Sequence, residues 1–82
     1  MQIVMDIPDE VLISLKENLD EFSKHFRMAG AVTLYRMGKL SSGRASQLAG
    51  IPRLLFLKSL ADYGVPIFDL SEEELKQDLE NA

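Results

Sequence analysis

The stretch SSGRASQLAGIPRLLFLKSLADY, residues 41 to 63, decides how the rest of the chain is read. Ser41 or Ser42 can cap a short helix carrying Ala45, Leu48 and Ala49. Gly50 interrupts it, Ile51 follows, and Pro52 starts a second helix that runs to about Tyr63. Two short helices joined by a tight turn containing glycine make a helix-turn-helix. The residue sizes suit that geometry: the first helix offers small residues at the crossing (Ala45, Ser46, Ala49), Gly50 takes the strained turn position, and Ile51 plugs the gap between the helices. Phe56 and Leu60 anchor the second helix. A helical hairpin with a glycine turn is the plainer alternative.

Outward from this core the chain reads as one mostly α domain over residues 1–82, with strand-like segments near both ends. Residues 1–7 (MQIVMDI in Met1–Ile7) alternate weakly and are rich in β-branched residues, which predicts a short N-terminal strand. Residues 8–38 predict two amphipathic helices. The first opens at Pro8 with Asp9 and Glu10 at the positive end of its dipole, and Val11, Leu12, Leu15 and Leu19 follow at helical spacing. Asn18 breaks the run, and a longer helix follows to Met37 with Phe22, Phe26, Ala29, Val32 and Tyr35 as an apolar stripe. Those aromatics, with Met28 and Met37, are expected in the core, and His25 on the helix surface. Gly38 is a suitable stop because glycine accepts the left-handed conformation after a helix.

Beyond the helix-turn-helix, residues 65–70 (VPIFDL) read as a short strand-like segment, restricted by Pro66 to an edge. Residues 72–81 read as an acidic C-terminal helix that begins with a capping box, Ser71 with Glu74, and a staple, Leu70 with Leu75. A helix of about ten residues is not stable alone in water, so Leu70, Leu75 and Leu79 are expected to dock on a partner or on the domain.

Composition removes several functions. The chain has 82 residues, no Cys and one His, which excludes disulfides and thiol chemistry and argues against a His-based zinc site or a catalytic triad. Nothing approaches the roughly 20 apolar residues of a membrane span, and the N-terminus does not resemble a signal peptide. The expectation is a cytoplasmic domain that is not an enzyme, needs no metal or cofactor, and has no membrane partner. A core this thin usually gains stability by self-association, so a homodimer is expected.

Charge is sharply segregated. Residues 1–21 carry six acids against Lys16, and residues 62–82 carry seven against Lys76. Between them, residues 22–61 contain no Asp or Glu but seven cations: Lys24, Arg27, Arg36, Lys39, Arg44, Arg53 and Lys58. A basic block of this kind in a helix-turn-helix points to DNA. The second helix of such a motif enters the major groove. With Ile51, Phe56 and Leu60 inward, the outward positions are read as Pro52, Arg53, Leu54, Leu57, Lys58 and Ala61. Arg53 suits a guanine or a phosphate and Lys58 a phosphate, while Arg36, Lys39 and Arg44 flank the backbone. Leu54 offers only apolar contact, and this helix has no Asn or Gln to read adenine, so sequence discrimination should be modest. The rival reading is a protein-binding or dimerisation module that uses the Leu54, Leu57, Ala61 stripe without DNA.

The residues also resemble a known group. Ile7-Pro8-Asp9-Glu10, Leu34-Tyr35, Gly38-Lys39-Leu40-Ser41, Gly43, Ala45, Leu48-Ala49-Gly50-Ile51, Arg53, Phe56-Leu57, Gly64-Val65-Pro66 and the acidic tail are similar to a small prokaryotic family of uncharacterised proteins described as predicted antitoxins containing a helix-turn-helix. The resemblance spans nearly the whole chain. It implies the antitoxin of a type II toxin–antitoxin pair, which silences a cognate toxin, with a PIN-domain ribonuclease as the suspected type, and represses its own operon. One departure stands out. PIN-type sites are acidic and bind metal, and an acidic tail cannot enter one through its own charges.

Overall fold

The computed structural model describes residues 1–67. Four helices run in order: α1 (Asp9–Leu15), α2 (Leu19–Arg36), α3 (Ser42–Ala49) and α4 (Arg53–Leu60), followed by a 3-10 turn (Ala61–Tyr63). α2 packs on α3, α3 on α4, and α4 on the 3-10 turn.

The helix limits follow from local chemistry. α2 opens on a capping box: the Oδ1 of Asn18 accepts from the Glu21 backbone N–H at 2.8 Å, and a Glu21 carboxylate oxygen accepts from the Asn18 N–H at 3.2 Å. Asn18 therefore starts the long helix as well as breaking the run before it. Ser41 caps α3 by accepting from the Arg44 N–H at 3.3 Å. At the other end of α3, Gly50 takes a left-handed conformation with φ 75°. Its N–H reaches the Gln47 carbonyl, and the Ile51 N–H reaches the Ser46 carbonyl at 3.2 Å. This 6→1 and 5→2 pairing closes the helix and satisfies carbonyls that would otherwise lack donors.

The core lies between the C-terminal half of α2 and the helix-turn-helix. Ala31, Val32, Tyr35, Ala45, Ala49, Phe56, Leu57, Leu60 and Val65 are buried, with Met28, Leu40 and Ile51 packed against them. Tyr35 and Phe56 meet edge to face at 5.8 Å between ring centroids, an arrangement favoured by the ring quadrupoles. Ser42 and Ser46 are buried among these residues, and the Ser46 hydroxyl donates to the Gly43 carbonyl at 2.7 Å.

Three expectations need correction. There is no strand among the described residues: residues 1–8 form an arm without a backbone ladder, because a β-rich pattern needs a partner edge and the described residues supply none. Of the strand-like segment at 65–70, residues 65–67 are irregular, with Val65 turned into the core; the remainder, together with Leu70, Leu75, Leu79 and the helix read at 72–81, lies outside the described residues. The apolar stripe of α2 is also two faces rather than one. Val32 and Tyr35 face the helix-turn-helix, whereas Phe26 and Met37 are exposed and Phe22 is half-buried. The periodicity recorded apolar spacing correctly but could not tell which side the returning chain would cover.

Candidate nucleic-acid interface

α4 is oriented by the repeat Arg53, Phe56, Leu57, Leu60, spaced i, i+3, i+4, i+7 along one side of the helix. Phe56, Leu57 and Leu60 are buried, with Leu57 only 3% exposed. The expected outward position for Leu57 is thus reversed, and the Leu54, Leu57, Ala61 stripe does not exist as a surface. Leu54 is half-buried, while Pro52, Lys58 and Ala61 are exposed as expected. Leu55, absent from the sequence reading, is 51% exposed and leads the outward side with Lys58 and Asp62. The signal for this rotation was present, but the repeat begins on an arginine and a scan for apolar residues passes over it.

Arg53 is half-buried, and its Nε donates to the Ser42 Oγ at 2.9 Å. That bond ties the first turn of α4 to the first turn of α3, so the side chain sets the geometry of the motif. Arg36, Lys39, Arg44 and Lys58 are all exposed. Arg44 and Gln47 share the outer side of α3, where Arg44 Nη1 donates to Gln47 Oε1 at 3.0 Å.

Arg27 has a part that the sequence did not indicate. Its Nε donates to the Leu48 carbonyl at 2.8 Å, and its guanidinium lies over Gly50, with Nη1 and Nη2 both 3.2 Å from where a Cβ would stand. No basic residue occupies the last turn of α3, so the cation that complements the negative end of that helix comes from α2. A contact between residues 27 and 48 leaves no local pattern to read. Lys24 pairs with Asp20 at 3.2 Å on the exposed side of α2, and His25 Nδ1 donates to a Glu17 carboxylate oxygen at 2.8 Å, which ties the α1–α2 link to α2.

The described residues contain no cluster of three or more His, Cys, Asp or Glu side chains placed to hold a metal ion. No described helix is long and apolar enough to cross a membrane. What the motif offers a ligand is a set of exposed cations on and before a short helix pair, the exposed leucines Leu48 and Leu55, and Asp62 just past the end of α4.

A family model described as an uncharacterised protein family (UPF0175) matches residues 1–82. The chain is also similar to a UPF0175 protein of Aeropyrum pernix, 40% identical over 81 residues that cover 99% of this chain and 85% of the relative. No solved structure matches the chain significantly.

Proposed function

The chain belongs to the uncharacterised protein family UPF0175, and on that premise we propose that it is a cytoplasmic DNA-binding helix-turn-helix protein, the antitoxin of a type II toxin–antitoxin pair. In this reading the helix-turn-helix binds the protein's own operator and represses the operon, and the C-terminal segment engages the toxin. One observation supports the DNA half most: every exposed charge on α3, α4 and the turn before them is a cation, with no acid anywhere in residues 22–61. Phosphate contacts from such a set fix register on a duplex and give steep salt dependence. Base contacts would be few, because the outward positions of α4 are Pro52, Leu55 and Lys58, and Arg53 is engaged within the motif.

Fluorescence anisotropy with the protein's own upstream DNA and a scrambled duplex, from low to physiological salt, tests this. The expected result is tighter binding to the upstream DNA, with log affinity falling linearly against log salt. No binding at low salt would overturn the DNA reading. It would favour a protein-docking role, for which the exposed Leu55 on α4 is the supporting observation.

A further inference from the structure

Gln47 is the only Asn or Gln in residues 22–67, and it stands on the exposed side of α3. The other uncharged polar side chains of the motif have partners within it. The Ser41 Oγ accepts from the Arg44 N–H, and the Ser42 Oγ accepts from Arg53. The Ser46 hydroxyl donates to the Gly43 carbonyl, and the Ser59 hydroxyl donates to the Leu55 carbonyl at 2.8 Å. Base edges differ in their pattern of donors and acceptors. On the outward side of α4, Pro52 and Leu55 match no such pattern, and Lys58 offers donors alone.

Gln47 is also braced. Arg44, one turn earlier on the same side of α3, donates from Nη1 to the Gln47 Oε1 at 3.0 Å. That bond fixes which way the amide faces and takes one of the two lone pairs on its oxygen. One acceptor site and two N–H donors remain. This remainder fits the major-groove edge of adenine, whose N6 donates to the amide oxygen while its N7 accepts from the amide nitrogen. The other N–H groups of Arg44 stay available to a neighbouring phosphate. Charge favours the same helix. Arg36 and Lys39 precede α3 and Arg44 lies on it without an acid, whereas α4 leads into the exposed Asp62, one turn past Lys58.

Resting on the DNA-binding reading above, we infer that α3, and not α4, makes the sequence-reading contact of the motif: Gln47, held by Arg44, reads an adenine in the major groove. α4 supplies Lys58 to the phosphates and holds α3 through the Arg53–Ser42 bond. This reverses the usual order, in which the second helix of the motif reads the bases. The cause is local, because the first turn of α4 follows Pro52 and opens on an arginine tied back to α3.

Selection from a library of random-sequence duplexes at low salt, followed by anisotropy on the enriched site and its single-base variants, is the test. The wild-type chain is expected to enrich a site with adenine at a fixed position, and to lose about tenfold in affinity when that pair becomes G·C. Gln47→Ala should bind every variant of that position alike, with the salt slope and melting temperature kept because the side chain is exposed. Gln47→Glu, which can only accept, should move the preference there to cytosine, whose N4 donates. Arg44→Ala should weaken the adenine preference by removing the brace, and Leu55→Ala should leave it intact. An enriched site whose preferences survive Gln47→Ala would overturn the inference and return the reading to α4. So would salt-dependent binding in which the wild-type chain enriches no sequence. Absence of binding to any duplex at low salt is a different failure, that of the DNA-binding reading itself, and the inference falls with it.

Discussion

Arg53 and Ser42 join the two helices of the motif at their first turns: the arginine Nε donates at 2.9 Å to a hydroxyl oxygen that has no exposure to solvent. Removing one member of a buried, charge-assisted bond leaves the other poorly satisfied. Ser42→Ala and Arg53→Lys are each expected to lower stability in urea denaturation by about 1–2 kcal/mol. The double variant should lose less than the sum of the two by at least about 0.5 kcal/mol. Strict additivity would mean that the pair acts independently and does not set the angle of the motif.

Gly50 answers to two demands and Gly38 to one. Both have φ 75°, which costs a residue with a side chain about 1–2 kcal/mol. A Cβ at Gly38 meets no atom of the described residues within 4 Å, whereas one at Gly50 meets the Arg27 guanidinium at 3.2 Å. That guanidinium would have to shift and loosen its bond to the Leu48 carbonyl. Gly50→Ala should therefore destabilise by about 1 kcal/mol more than Gly38→Ala. In an Arg27→Ala background the excess should vanish, and thermal melts of the four variants would show whether it does.

Much of this was open to sequence reading because caps and stops are local. Ser41, Gly38 and Gly50 mark helix ends through their own side chains or conformations, and the helix-turn-helix follows from them with the small residues Ala45 and Ala49. Harder to read was which way each helix faces. The two apolar faces of α2 give one blended periodicity in sequence, and only the return of α3 across residues 31, 32 and 35 separates them. The N-terminal arm shows the opposite failure. Its alternation is real, since Met1, Ile3, Met5 and Ile7 line one groove, yet alternation specifies side-chain direction and not a hydrogen-bonded neighbour.

The rotation of α4 gives a direct test of that lesson. Leu57 is buried and Leu55 half exposed to solvent, whereas the sequence reading put Leu57 outward and passed over Leu55. Leu57→Ala should cost about 2–5 kcal/mol, enough to unfold a large share of a domain this small. Leu55→Ala should stay within about 0.5 kcal/mol. Equal losses by denaturant titration would mean that α4 does not hold this orientation.

The same geometry divides the cations into those that would touch DNA and those that hold the motif. Arg44 and Lys58 are exposed on α3 and α4, so Arg44→Gln or Lys58→Gln should each reduce the slope of log affinity against log salt by about 1 while leaving the melting temperature nearly unchanged. Arg27 and Arg53 carry the same charge but spend it on the Leu48 carbonyl and the Ser42 hydroxyl. Their glutamine variants should lower the melting temperature, and any loss of DNA affinity should follow from the loosened helix pair with a smaller change of salt slope. Anisotropy titrations at several salt concentrations, run beside thermal melts, separate the two classes. If Arg53→Gln changed the slope as much as Lys58→Gln and left the melt untouched, Arg53 would be a phosphate contact, and the bond to Ser42 would not be what positions the helix.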